Sequence, residues 1–529
     1  MRAGRLWQFI RNALIMSATG LIIRCVAVSF NVYLTDKLGA DGIGLYSLVM
    51  SVYGFGITLA TSGINLAATR LVAECGEDPP RGALARAMRC CLGYSVFFGT
   101  VASVLMLLLA PMISECWLQD ARTLPALRLL GLSLLPVSLS SAMGRYFAGV
   151  RRVWKSAAVQ IFSQGARVVL TIYALQIFLP RGLEYACIGV VLGGTLAEFG
   201  SFFVLFAAYL HDRHQHSASA QKLPPAPPVR RKLISIALPV AISTYARSFL
   251  LTVEHLLIPI CLRKNGAGRE ASLAAYGTLH SMALPILLFP SALLGSVSGL
   301  LIPEMAEYRA ARNHAQIRRV ASRVLRLTLI FSVGTAGIMS CHSYSLGTVI
   351  YGSAEAAEYL RLLAPLVPIM YLDGTVDAML KGLGEQVYSM NVNIIDALLS
   401  VILVILLLPR YGVAGYVIVL YVCEVFNAVC SLYRLLSITA VDVDVLGWVI
   451  LPLLSIVGAT VGVRIFGMYY PAADAFSLSL RIILTAGMYL VIFALLDWSV
   501  RCLRRCVQRH QRLDRLHGGL QKTKKRVLR

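Results

Sequence analysis

Residues 394–435 read IIDALLSVILVILLLPRYGVAGYVIVLYVCEVFNAVCSLYRL, two long apolar runs joined by Leu408-Pro409-Arg410-Tyr411-Gly412. Each run comes near the roughly 20 residues that an α-helix needs to cross the hydrocarbon of a bilayer. Proline and glycine at the join stop one helix and let the chain reverse into the next. The same pattern recurs from Ala13 to Val500. Over all 529 residues the chain is 57% hydrophobic and only 14% charged, with mean hydropathy +0.72. An average soluble domain carries roughly 25% charged residues, so a soluble fold is excluded. The reading is an all-α polytopic membrane protein.

Apolar windows bounded by charged and turn residues place six spans between 12 and 210 and eight between 233 and 500, about fourteen in all. Between the groups, residues 211–232 are polar and contain Pro224, Pro225, Pro227 and Pro228, which predicts a non-helical cytoplasmic linker. The expected organisation is an N-lobe over 1–210, the linker 211–232, a C-lobe over 233–436, two extra helices over 437–500 and a basic tail over 501–529. Arg24 interrupts the first apolar run and no small-residue cleavage site follows, so that run reads as a retained span and not a signal peptide.

The lobes are related in sequence. Gly149 and Ser156 stand seven residues apart after the fourth span, as do Gly382 and Ser389 after the tenth. Pro136 matches Pro368 upstream, and Pro180 matches Pro409, and Glu198 matches Glu424, downstream. Six spans per lobe is an even number, so both lobes start from the same side. This describes a parallel repeat about an axis along the membrane normal, an architecture of transporters that rock about a central site.

The formal charge of +23 is placed as a membrane protein places it. Residues 501–529 hold eleven Lys or Arg against Asp514 alone, a flank suited to anionic lipid headgroups on the cytoplasmic side and not to nucleic acid. With both termini inside, Lys and Arg fall mostly in inside segments. One turn dissents: Arg263, Lys264 and Arg269 follow the seventh span on the outside. The twelve cysteines form no paired CxxC pattern and read as small core residues, and His211, His214 and His216 sit in the polar linker.

An ionisable residue inside a span costs about 2.5–3.5 kcal/mol on insertion scales, so such residues should meet partners or water. Arg24 lies about 18 Å from either surface at 1.5 Å per residue, too deep to snorkel out. Arg247 has a comparable place in the seventh span, the repeat partner of the first, and Arg167 lies within the fifth. Guanidinium stays charged and donates a planar fork of hydrogen bonds that suits phosphate, so Arg24, Arg247 and Arg167 are the candidates for an anionic headgroup. An alternative for each is an ion pair with Glu198 or Glu254. Most buried acids belong to the second half: Glu254, Asp373, Asp377, Asp396 and Glu424. Asp373 and Asp377 share a helical face, with Lys381 one turn on, and could hold a cation or simply pair with that lysine. His280, in the eighth span with Pro285, Pro290, Gly295 and Gly299, reads more readily as a core histidine than as a proton relay.

Several stretches resemble one superfamily. These are Ser62-Gly63-Ile64-Asn65-Leu66-Ala67-Ala68-Thr69-Arg70 through Glu74, Phe289-Pro290 continuing to Leu301-Ile302-Pro303-Glu304, and the Gly412-Val-Ala-Gly415 turn. In this order, with the spans and the repeat, the chain resembles the multidrug/oligosaccharidyl-lipid/polysaccharide (MOP) exporters, in particular their stage V sporulation protein B and lipid II flippase branch. The resemblance implies a flippase, not an enzyme, that carries an undecaprenyl-pyrophosphate-linked saccharide outward across the bacterial cytoplasmic membrane. It implies no catalytic residue, no metal centre and no cofactor beyond Na⁺ or H⁺ as coupling ion. It maps basic cavity residues onto Arg24 and Arg247, and coupling acids onto Glu254 and Asp396; where the branch has a basic residue in the eighth span, this sequence has His280. A cation-coupled multidrug antiporter of the same fold is the alternative. Removing residues 513–529 is expected to change abundance or topology more than transport rate. Quantitative immunoblotting beside a transport assay checks this, and a collapse of turnover at normal abundance would give the tail a direct role.

Overall fold

The computed structural model describes residues 2–74, 81–150, 153–215, 229–465 and 474–527, which are helical nearly throughout and contain no strand. The first half runs α1 (Arg2–Thr61), α2 (Ile64–Glu74), α3 (Arg81–Met112), α4 (Leu124–Gly149), α5 (Val153–Phe178) and α6 (Leu183–Gln215). The second half runs α7 (Val229–Lys264), α8 (Arg269–Gly277), α9 (Leu284–Leu288), α10 (Ser291–Ala310), α11 (His314–Tyr351), α12 (Ala354–Leu363), α13 (Val367–Gly382) and α14 (Gln386–Thr439). Helices α15 (Leu451–Ile465) and α16 (Ala475–Val527) follow.

Among the described residues, twelve helical stretches are long and apolar enough to cross a membrane. Two of them are long enough to cross twice, 44 residues in α1 and 54 in α14. Each is broken inside by a glycine in the left-handed region, Gly39 with φ 73° and Gly412 with φ 58°, where a side chain would strain the backbone. Gly412 is the join in the stretch quoted first. Within the stretch read as a linker, residues 211–215 continue α6 and residues 229–232 open α7 as helix. The four linker prolines and His216 lie outside the described residues. The chain after Arg501 continues α16 as helix to Val527.

The molecule divides into two compact units, residues 1–317 with 369–439, and 318–368 with 440–529. In the first, Ile64, Leu71, Met88, Met143, Phe147, Leu205 and Ala237 from five helices make a buried apolar core. Large apolar side chains such as Phe97, Leu108, Val169 and Phe203 stay exposed, as a lipid-facing surface requires. In the second, Val333, Ile456, Ala459 and Tyr489 pack together, and the Tyr489 hydroxyl donates to the Ile330 carbonyl at 2.6 Å. There Arg326 also pairs with Asp497 at 2.9 Å.

The eighth span is the irregular one. A π-helical turn, Thr278–Ala283, joins α8 to α9, and the helix breaks again at Phe289–Pro290 before α10. Next to it, α1 approaches α8 so closely that Gly44 and Gly277 face backbone with nothing between, and a Cβ on Gly277 would stand 2.8 Å from Gly44 N. The dissenting basic turn has a local explanation. Arg269 pairs with Asp120 at 2.6 Å, Arg122 takes both oxygens of the same carboxylate, and Arg263 donates to the Gln119 side chain at 2.8 Å. Asp120 is only 3% exposed, and its single carboxylate offsets part of the positive charge gathered at this turn. Gly44→Val is expected to cost at least about 1–3 kcal/mol through overlap with the Leu273 carbonyl. A lowered unfolding temperature of the purified protein would register it, and an unchanged one would contradict the close approach.

Candidate functional site

Arg24 is half-buried on α1, two helical turns before Asn31 and therefore on the same face. The Asn31 side chain donates to the Ser281 carbonyl in the π turn, and Ser47 shares a hydrogen bond with the Ser281 hydroxyl. That face of α1 thus looks toward the eighth span. Arg24 is also within electrostatic reach of Tyr371 on α13, whose hydroxyl donates to the Leu287 carbonyl at 2.6 Å. Among the described residues Arg24 has no ion pair and no hydrogen bond to its side chain.

Arg247 is exposed on α7, on the face that carries Glu254 two turns later. Three acids from two other helices act on it: Asp373 from α13, and Asp396 and Glu424 from α14. None of them comes close enough for an ion pair, and Arg247, like Arg24, is without one among the described residues. The Oδ1 atoms of Asp373 and Asp396 are buried with no hydrogen-bond partner. A buried carboxylate oxygen without a donor is costly, so this place suits a proton, a cation or water.

Other predicted residues are engaged elsewhere. Arg167 on α5 is bound to Glu198 on α6 at 2.5 Å, beside Tyr46 and Tyr53, and does not stand open as a cavity guanidinium. The close packing of α5 against α6 brings the pair together, which is the alternative that the sequence left open for this arginine. Asp377 accepts from Lys381 at 2.5 Å and from the Ser389 hydroxyl, so it belongs to the end of α13 more than to the acids around Arg247. Glu254 is 6% exposed and lies against Ser400 and Tyr416 of α14. A cavity of about 460 Å³ opens near Asp41, Tyr46, Arg122, Cys187 and Arg269, and none of the predicted site residues lines it.

Sequence reasoning did not find the aromatic surroundings of Glu254. His255, Tyr276, His280 and Tyr416 form a ring-on-ring cluster drawn from α7, the eighth span and α14. Glu424 was legible as a buried acid, though not as a neighbour of Arg247. No spacing signal joins residues on three separate helices, and the π turn that aims His280 leaves no mark in an apolar stretch.

The comparisons fit this geometry. Residues 9–309 match the family model described as polysaccharide biosynthesis protein, and residues 265–406 match the MatE model. The chain belongs to the polysaccharide biosynthesis protein family. It is a multi-pass transporter of the MOP superfamily. Stage V sporulation protein B of Bacillus subtilis (strain 168) is 26% identical over 77% of this chain and 79% of its own length. The lipid II flippase MurJ of the same organism is 20% identical over 75% of this chain and 76% of its own. Among solved structures, lipid II flippase MurJ in an inward closed conformation superimposes with TM-score 0.69 at 12% identity, over 92% of this chain and 99% of that one. An inward-facing multidrug resistance MATE family transporter of the MOP superfamily gives 0.60 at 13% identity, over 82% and 100%. At these identities the structures establish the fold.

The Arg167–Glu198 pair yields a stability test. Both side chains are about a quarter exposed, so Arg167→Ala is expected to destabilise by about 1–3 kcal/mol, below the range for a fully buried pair. Removing both partners should cost less than removing Arg167 alone. Thermal unfolding of the single and double variants reads the difference, and strict additivity would show that the two charges do not depend on each other.

Proposed function

We propose that this protein is a flippase that moves a polyprenyl-pyrophosphate-linked saccharide from the inner to the outer leaflet of a bacterial cytoplasmic membrane by alternating access. The observation that carries the reading is that Arg24 and Arg247, one from each related half, have no ion-pair partner among the described residues although both lie deep within spans. A guanidinium there needs a counter-charge, and a pyrophosphate supplies one with geometry that fits the planar fork. The family description and the relatedness to lipid-carrier proteins support the same substrate class.

In this reading the two related six-span lobes rock about the site, with both termini cytoplasmic. Arg24 and Arg247 hold the pyrophosphate while the polyprenyl chain stays in the bilayer. The exposed apolar flanks, among them Leu406 and Val429 on α14, suit that tail. Direction follows from charge: with the interior negative, each negative charge carried outward releases about 2.3 kcal/mol per 100 mV. The acids Glu254, Asp373 and Asp396 take a coupling cation that favours return of the empty carrier, through different affinity in the two states. Asp377 supports them from the end of α13.

A second reading has one observation in its favour. Three acids surround the single guanidinium of Arg247, and a cavity of net negative charge would suit an organic cation, as in a multidrug antiporter. The test separates the two. Purified protein in liposomes is given a fluorescent undecaprenyl-pyrophosphate disaccharide, or instead a fluorescent lipophilic cation. Arg24→Ala and Arg247→Ala are each expected to lower lipid flipping at least tenfold at unchanged protein content. Full flipping by either variant would remove that residue from the site, and cation efflux without lipid flipping would favour the antiporter.

A further inference from the structure

The groups around Glu254 exceed what a set of acids needs. His255 and His280 face each other with ring centroids 4.7 Å apart at 75°. Tyr276 closes one side, its hydroxyl 3.1 Å from His255 Nδ1 and its ring 4.5 Å from that of His280. Tyr416 closes the other, its hydroxyl 3.0 Å from His280 Nε2 and lying beside the Glu254 carboxyl. Glu254, Tyr276 and Tyr416 are buried. The Tyr416 hydroxyl thus joins His280 to the Glu254 carboxyl, the Tyr276 hydroxyl holds His255, and the two imidazoles meet ring against ring. Each hydroxyl can accept and donate at once, and each imidazole can take up or release a proton.

A second observation says what such a group would act on. His280 lies in the π turn, a helix irregularity that often marks functional positions. The next residue, Ser281, is held by the first half of the chain: Asn31 donates to its carbonyl and Ser47 bonds its hydroxyl. Within one turn the chain faces the histidine pair on one side and the contact with α1 on the other. A charge gained at His280 therefore arises one residue from a contact between the halves.

The geometry points to the His255–His280 pair as the binding site of a coupling proton, whose occupancy the π turn passes to the α1 contact at Ser281. This deepens the proposed function by naming the cation as a proton and by seating it on the histidine pair that Glu254 adjoins, with the acids feeding that pair, and it rests on the reading of the chain as a cation-coupled carrier. One proton taken from water turns two neutral imidazoles into an imidazole–imidazolium pair. Tyr416 can relay it: the Glu254 carboxylate first takes the proton from water, and the resulting acid gives it to the Tyr416 oxygen as Tyr416 gives its own to His280 Nε2, which restores the carboxylate and leaves it beside an imidazolium. The titratable groups that face the pair are Glu254 from α7, Tyr276 from the eighth span, and Tyr416, Asp396 and Cys423 from α14. Arg247, Asp373 and Glu424 stand beyond Asp396, while α1 brings the uncharged Asn31 and Ser47 to Ser281.

The test needs no lipid substrate. Spin labels at Tyr185 and Tyr411, both exposed and one in each half, are placed in a cysteine-free chain in lipid nanodiscs, and their separation is measured by pulsed electron resonance. Acidification is expected to shift the distance distribution, whereas Na⁺ added at constant pH should leave it in place. His255→Gln and His280→Gln should each abolish the acid response. If either variant fails to fold by gel filtration, Tyr416→Phe and Tyr276→Phe keep the ring packing and should displace the midpoint of the response. The proposal is overturned by no shift on acidification, by a shift that answers only to Na⁺, or by an unaltered response in the histidine or tyrosine variants. Because no lipid-linked saccharide is present, failure here leaves the lipid assignment to its own flipping assay, and failure there leaves this result standing.

Discussion

A charge inside a bilayer must be neutralised, hydrated or matched by an opposite charge, and this constraint orders the whole first unit of the protein. The spans can carry few ionisable groups, because each one raises the free energy of insertion. Those present come from different helices: Arg24 from α1, Arg247 and Glu254 from α7, Asp373 from α13, and Asp396 and Glu424 from α14. Where a fixed partner is within reach, the pair closes, as Arg167 does with Glu198. Where none is, as for Arg24 and Arg247 among the described residues, the group stays without an ion pair, and only packing decides which case holds.

The same electrostatics acts at the turn between α7 and α8. The charge rule that orients membrane proteins treats Lys and Arg as unpaired, yet Arg122 and Arg269 share the buried carboxylate of Asp120, and Arg263 is tied to Gln119. The turn between α7 and α8 is thereby fastened to the segment that follows α3. The one carboxylate offsets part of the positive charge there, and the neutral Gln119 side chain holds the guanidinium of Arg263.

The eighth span departs from regular helix. A regular helix satisfies its own backbone and resists bending, so a span that must change shape needs breaks whose polar groups find partners elsewhere. The eighth span has two, the π turn and Phe289–Pro290, and side chains from neighbouring helices serve them: Asn31 takes the Ser281 carbonyl and Tyr371 takes that of Leu287. Beside these breaks, Gly44 and Gly277 allow backbone to touch backbone. Close contact without side chains lets helices slide or part without the unlocking of interdigitated side chains.

The sequence by itself determined the membrane class, the approximate set of spans, the twofold internal repeat and the superfamily. Each follows from local hydrophobicity and from residue order, which folding does not alter. It also marked the buried charges, since any ionisable residue within a span is conspicuous. Only the tertiary structure decided which of them meet: that Arg167 belongs to Glu198, that Asp377 belongs to Lys381, and that Asp373, Asp396 and Glu424 surround Arg247. The cluster of His255, Tyr276, His280 and Tyr416 was invisible for the same reason. Helix periodicity fixes which face of its own helix a residue occupies, but the partner of that face is set by how separate helices rotate and pack, and a single chain of letters holds no measure of that rotation.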